Sequence, residues 1–315
     1  MNRLAIFSTP KPFLNPHFAT IQRNAILSWK QLGERVEVWL VGEEEGVEQA
    51  ARELGVRYIP DVARTPAGTP RIDSIFNRLR AESDAEYLCY VNADILLFPD
   101  LLATLDIAAT ARRRFLLVGQ RWDANITVPL PVSTEWQVDF LKTFRNESKL
   151  HPPAGSDYFV FPRELFADIP PFAVGRIGWD NWMIYHARCT HMAVVDCSGS
   201  ITAVHQNHDF SHLPGGKKHR RQPESLDNVK LAGGWHTMFT LANTNKRILD
   251  GRLAGTKPSR ESLQRELSIL PLIWLKPARF AKAVYTLLNP RRVKEQRRKE
   301  QKMQENVART IKENS

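Results

Sequence analysis

The sequence predicts an α/β protein built on a mostly parallel sheet with helices on both faces. Over the first 120 residues, short apolar runs alternate with segments of helical hydrophobic period. The runs are apolar nearly throughout, as in strands buried on both faces, where half-buried strands would alternate. Glycines close two of the helical segments, at Gly33 and Gly55.

Taken in order, Leu4–Ser8 is a strand ended by a proline-rich turn. Residues 17–32 carry Ile21, Ala25, Ile26, Trp29 and Leu32 at helical spacing. Val36–Val41 is the second strand, Val47–Leu54 a helix and 56–59 the third strand. Residues 72–81 form a helix, Tyr87–Val91 the fourth strand, 101–111 the next helix and 115–119 the fifth strand. Beyond residue 120 the pattern loosens. Strands are expected at 157–162, 193–197 and 201–205, with a helix over 179–187 between the first two. Residues 233–249 are expected to be helical, 258–282 broken by prolines, and 293 to the end a charged helix or a disordered tail. The expected organisation is a catalytic unit over 1–210 (a nucleotide-binding half to 120, an acceptor-binding half from 121), a basic loop and helix over 211–258, and a basic amphipathic helical tail over 259–315.

In such sheets ligands bind outside the carboxyl ends of the strands. That places residues 8–11, 42–45, Asp61 and 92–94 around one crevice.

The net charge of +10 invites a nucleic-acid reading until its location is considered. Residues 1–208 carry 21 basic and 24 acidic side chains, whereas residues 209–315 carry 23 and 10. Binding nucleic acid through the main fold would place positive charge on that fold, so no nucleic-acid partner is expected. Three cysteines without C-x-x-C spacing exclude a disulfide scaffold and point to a reducing compartment. No apolar run approaches membrane-spanning length, and the first apolar stretch is too short for a signal sequence. The expected location is cytoplasmic, with peripheral attachment at the inner face of the plasma membrane open.

The stretch EYLCYVNADILLFPDLLATL is the most specific feature. A strand ends at Val91 and presents Asn92 and Asp94 on one side, since alternate residues share a face. A carboxylate there can hold a divalent cation together with diphosphate oxygens, because magnesium and manganese favour oxygen ligands. The plain alternative is an Asn/Asp turn.

Strand, N-x-D, apolar run, P-D and helix resemble the metal-binding motif of GT-A-fold glycosyltransferases, which use nucleotide-diphosphate sugars. The resemblance spans about residues 1–210. It implies a GT-A-like fold, with Mn2+ or Mg2+ as cofactor and a nucleotide-diphosphate sugar as donor. Asp94 would be the metal ligand and Asn92 the ribose contact. Asn in place of Asp at the first position removes one charged ligand. In GTPRIDSIFNRLRA, Arg71 would meet the diphosphate and Asp73 the base or ribose; a helix cap is the alternative. Thr9, Gly42 and Glu43 would line the base pocket.

Further along, GRIGWDNWMIYHA places Asp180 in the first turn of a helix. It reads either as a cap or as the general base that deprotonates an acceptor hydroxyl. Asp157, Trp179 and Trp182 are candidate substrate contacts. In AVHQNHDFSH, His205 would complete the metal shell, with His208 as the alternative. Lys217, in the basic segment that follows, would approach the diphosphate. Together these imply transfer of a sugar to an acceptor hydroxyl, on a glycan or a lipid-linked acceptor, in polysaccharide or envelope glycan synthesis. A binding protein that retains the fold without catalysis is the alternative. A sugar nucleotidyltransferase is disfavoured because STPKPF after the first strand holds no glycine. In the tail, Ile269, Leu272, Ile273, Trp274, Phe280, Val284 and Leu288, flanked by basic residues, have the composition of a segment that lies on an anionic membrane. Packing of that segment on its own catalytic domain is the competing expectation.

Overall fold

The computed structural model describes residues 3–131, 133–208 and 222–314. The amino-terminal half follows the expected alternation: β1 (Leu4–Ser8), α1 (Pro16–Lys30), β2 (Val36–Val41), α2 (Val47–Leu54), β3 (Arg57–Ile59), α3 (Ile72–Glu82) and β4 (Tyr87–Val91). Local chemistry sets the boundaries. Asn15 caps α1, its side chain accepting from the backbone N–H groups of His17 and Phe18, and Pro16 sits where no N–H is needed. Gly55 ends α2 in the left-handed conformation, φ 61°.

The chain continues through β5 (Ile95–Leu97), α4 (Asp100–Ala111), β6 (Phe115–Val118), β7 (Trp122–Ala124), α5 (Thr134–Thr143), β8 (Lys149–Leu150), β9 (Tyr158–Pro162), α6 (Trp179–Cys189), β10 (Ala193–Asp196) and β11 (Ala203–Gln206). After it come α7 (Pro223–Leu231), β12 (Lys246–Leu249), β13 (Arg252–Gly255), α8 (Arg260–Trp274), α9 (Ala278–Leu288) and α10 (Pro290–Asn314).

The main sheet has the order β13-β12-β10-β6-β9-β4-β1-β2-β3. Its pairs are parallel except where β9 runs against β4 and β6, and at the edge hairpin β12–β13. β1 shows why the strands are apolar throughout. Leu4 and Ile6 join one core cluster while Ala5 and Phe7 join the cluster on the opposite face. β4 divides likewise, Leu88 and Tyr90 against Cys89 and Val91. A second small sheet, β5-β11-β7-β8, stands at the carboxyl end of β4. The run after Asp94 therefore leaves the main sheet and pairs with β11, Ile95 opposite His205.

The helix expected over 233–249 is a correction. That region forms two short 3₁₀ turns, Trp235–Thr237 and Leu241–Asn243, and then β12. Gly233 and Gly234 hold φ of 98° and 116°, which a continuing helix cannot accommodate. Thr240 and Asn243 cap the second turn reciprocally. Asp250–Gly251, both at positive φ, then turn β12 back into β13. In the tail, the prolines break less than expected. Pro271 sits inside α8, and the interruption comes only between Trp274 and Ala278. α8 and α9 pack Ile269, Leu272, Ile273 and Tyr285 into the core cluster that contains α6. The three cysteines are free. Among the described residues no helix is long and apolar enough to cross a membrane.

Candidate functional site

The carboxyl ends of β1, β2 and β4, the start of α6 and the end of β11 enclose a crevice of about 580 Å3. Thr9, Lys11, Glu44, Asn92, Asp94, Arg121, Asp157, Arg176, Trp179, Asp180, His205 and His208 are among its walls.

One wall is built around Asp94, which is buried. Its Oδ2 accepts from Lys11 Nζ at 3.1 Å and lies 3.0 Å from His208 Nε2 and 4.0 Å from His205 Nε2. Burial alone would raise this carboxyl; Lys11 and the two histidines outweigh it and hold it well below the usual carboxylate range. Oδ1 is buried and has no hydrogen-bond partner among the described residues. One ligand atom from each of Asp94, His205 and His208 lies within 4.8 Å of the others, a group that could hold a metal ion.

The histidine nearest the strand end is backed from behind. Asp123, on β7, lies 3.4 Å from His205 Nδ1, so Nε2 is the nitrogen turned toward Asp94. A carboxylate on one ring nitrogen, leaving the other for a cation, is the usual support of a ligating histidine. Asp123 also accepts from Arg121 Nε at 2.9 Å and sits 2.8 Å from His151 Nδ1. These hydrogen bonds overcome its burial and hold its carboxyl well below the ordinary range. The donor set, the orphaned Asp94 Oδ1 and the oriented His205 fit a small oxygen- and nitrogen-ligated cation.

Lys11 is fixed from its backbone. Its N–H donates to Gln22 Oε1 at 2.6 Å, and Gln22 Nε2 donates to its carbonyl at 3.0 Å. α1 thereby holds the loop after β1 so that the ammonium reaches Asp94, 83 residues away.

The opposite wall is the start of α6. Gly178, at φ 110°, turns the chain into the helix, and Asp180 follows in its first turn. Asp180 Oδ1 accepts from the Gly178 N–H at 3.3 Å. Burial, with the negative charge of Asp157, outweighs these helix-end N–H groups and pushes its carboxyl up to about 6. Asp180 thus meets a backbone N–H group and also lines the crevice.

The remaining expected residues divide. Thr9 lines the crevice, its hydroxyl buried and unpartnered among the described residues. Asn92 is present, but its amide donates to Asp157 Oδ1 at 2.7 Å. Arg121 engages the other oxygen of Asp157. Trp179 lines the crevice, packed edge-on against Tyr90. Trp182 is not among the lining residues; it stacks on His186 and meets Phe172 in the core. Arg71 and Asp73 pair with each other at 2.6 Å, and neither lines the crevice. Of the segment after β2, Glu44 reaches the crevice while Glu43 pairs with Arg64. Lys217 lies outside the described residues.

Sequence reasoning missed Asp123, Arg121 and Arg176, and placed Lys11 at the crevice without giving it a role. Arg176 is held by Glu224 at 2.9 Å, and Thr65 and Thr69 donate to the same carboxylate. Only Lys11 carried a signal, its place directly after the first strand.

No family model and no curated protein matches the sequence. Similarity is found to solved structures of glucosyl-3-phosphoglycerate synthase from Mycobacterium tuberculosis. One is in complex with Mn2+, uridine-diphosphate-glucose and phosphoglyceric acid, at 14% identity and TM-score 0.45, covering 74% of this chain and 80% of that one. Another, with Mg2+ and uridine-diphosphate, has 14% identity, TM-score 0.44 and the same coverage. A further mycobacterial protein has 16% identity and TM-score 0.43, covering 74% and 75%. Likeness at that level specifies no reaction. The architecture has the expected layout, a mostly parallel sheet flanked by helices, with a crevice at its strand ends and a basic helical extension.

Proposed function

We propose that this chain is a glycosyltransferase that moves a sugar from a nucleotide-diphosphate donor to an acceptor hydroxyl, with Mn2+ or Mg2+ as cofactor. The observation that carries the reading is the pair of opposed carboxyls in one crevice. Asp94 stands with two histidines in a cation-binding group, and Asp180 is a carboxyl pushed up to about 6. Separated pKa values in one site mark separated roles.

Asp94, His205 and His208 would hold the cation, which when bound offsets the charge developing on the diphosphate leaving group. Thr9 and Glu44 offer buried unpartnered oxygens at the carboxyl ends of β1 and β2, where base and ribose would lie. Arg176 and Lys11 supply positive charge on the same crevice. Asp157, held by Asn92 and Arg121, positions that wall. Asp180 accepts the acceptor hydroxyl's proton as the oxygen attacks the anomeric carbon and the bond to the diphosphate breaks. This is an inverting course. Trp179 beside it suits a sugar acceptor, on a free or lipid-linked glycan. Lys217 remains a proposed diphosphate contact.

The test is a panel of nucleotide-diphosphate sugars, each with manganese or with chelator, read by thermal shift and by donor turnover. Manganese-dependent stabilisation by one donor supports the reading. No donor raising the melting temperature under either condition sinks it. A second reading is favoured by one contact: Lys11 Nζ already stands 3.1 Å from Asp94 and 3.0 Å from His208. In that reading Lys11 is the resident cation, and turnover survives chelation but not Lys11→Met.

A further inference from the structure

The hairpin of α8 and α9 carries two apolar stripes that the fold does not bury. On α8, Leu263, Leu267 and Trp274 recur at i, i+4 and i+11, so they share a face. They are 62%, 56% and 64% exposed, although Trp274 also packs at a tilt against His191. The opposite face, Ile269, Leu272 and Ile273, is the one packed in the core. α9 repeats the arrangement. It buries Ala281 and Tyr285 and turns Phe280 and Leu287, seven residues apart, to solvent. Exposed large apolar residues on two neighbouring helices mark an interaction surface.

Charge identifies the partner. From Leu267 to Lys294 the chain holds six basic residues and no acidic one. Lys276 sits at the turn between the helices, Arg279 next to Phe280, and Arg291 and Lys294 just beyond α9, all exposed. None of these four forms an ion pair among the described residues. A protein partner would be expected to meet fixed positive charges with its own acidic residues. An anionic lipid surface meets them at any register and also takes up aromatic and leucine side chains at its headgroup boundary. We infer that the α8–α9 hairpin docks this protein on an anionic membrane surface, with Trp274, Phe280 and Leu287 inserted and Lys276 and Arg279 against the headgroups. The inference does not depend on the donor-site reading, since none of these residues lines the crevice.

The experiment is co-sedimentation of the full chain with phosphatidylcholine vesicles, with and without phosphatidylglycerol. It is repeated with Phe280→Glu/Leu287→Glu and with Lys276→Glu/Arg279→Glu. Binding is expected only with phosphatidylglycerol, at least ten-fold weaker in both variants, and reduced by salt. Each variant should keep the parent's thermal unfolding, because the altered side chains are exposed. The fluorescence difference between the parent and Trp274→Phe should shift to the blue on vesicle addition. Absent binding, equal binding to pure phosphatidylcholine, or binding unchanged in both variants overturns the inference. So does self-association of the parent that both variants abolish, which assigns the face to a second copy. Tight salt-sensitive binding to duplex DNA in preference to the vesicles likewise overturns it.

Discussion

Asp94 and Asp180 are carboxyls in the same crevice with opposite environments. Asp94 is buried against an ammonium and two imidazoles and is held ionised. Asp180 is half-buried beside another carboxylate, Asp157, with only backbone N–H groups to favour its charge, and desolvation raises its pKa to about 6. Burial disfavours charge at both, so neighbours decide the sign. In the proposed function, the carboxylate that stays charged holds the cation and the one with the raised pKa takes up and releases the proton.

The largest test of that contrast removes the charged side. Asp94→Ala leaves Lys11 near two histidines without its counter-charge. Donor turnover is expected to fall below detection, and calorimetric manganese binding to disappear. Breaking one partner of a buried pair should also cost roughly 3 kcal/mol in stability, measured by urea denaturation. The sign with pH follows from the depressed pKa. The stabilisation by Asp94 is present above the ordinary carboxylate range and lost as pH falls through its folded value, so the parent–variant difference should close in acid. A variant as stable as the parent at pH 7, with turnover intact, would remove Asp94 from both roles.

Asp180→Asn should separate activity from stability. Loss of the proposed base predicts a fall in turnover of about 10²–10⁴-fold. Stability should move the other way. The folded protein binds this proton more tightly than the unfolded chain, so stability falls as pH rises from about 4 to about 6 and then levels. A neutral isostere escapes that cost, and the variant should be more stable by roughly 1–3 kcal/mol at pH 8, with no gain at pH 4. In the parent, turnover should rise through a pH near 6 as Asp180 ionises. A destabilised variant at pH 8 would return Asp180 to the role of helix cap.

What the sequence made legible follows the range of the interactions. The strands and helices from β1 to β4 are set by local pattern, and the strand-end position of Asn92 and Asp94 follows from it, whereas β5 was not foreseen because it is a strand through its pairing with β11. Asp180 was equally legible, because a carboxylate in a first helical turn is a local feature. Lys11 was not singled out, since its role depends on Gln22 fixing its backbone and on Asp94 arriving from another strand. Asp123 sits on a three-residue strand that pairs with β11, its partner His205 lying 82 residues later in the chain, and no local pattern marks it. The helix expected over 233–249 failed similarly. β12 is a strand through its pairing with β10, although the Asp250–Gly251 turn was a readable hairpin signal. Lys217 lies outside the described residues and remains a proposal.

Asp123 offers an intermediate effect. It touches His205 from the side away from Asp94, and in the proposed site would act by orienting the ring. Asp123→Asn keeps the shape and removes the charge. Manganese affinity is expected to weaken about 10–100-fold, with saturating manganese restoring most of the turnover. Turnover lost at every manganese concentration would mean that Asp123 contributes more than orientation.

The smallest effect is expected at Arg71 and Asp73, the pair the motif resemblance assigned to the nucleotide. Their guanidinium and carboxylate satisfy each other two residues apart at the start of α3, outside the crevice. A partly exposed pair of this kind contributes about 0–1 kcal/mol. Arg71→Ala/Asp73→Ala should therefore leave the Michaelis constant for the donor within about two-fold of the parent, and denaturant stability within about 1 kcal/mol. If the Michaelis constant instead rises ten-fold with turnover unchanged, the pair opens when donor binds, and Arg71 reaches the diphosphate as the resemblance implies. The contrast between the two walls would then gain a third, ligand-dependent element in the segment before α3.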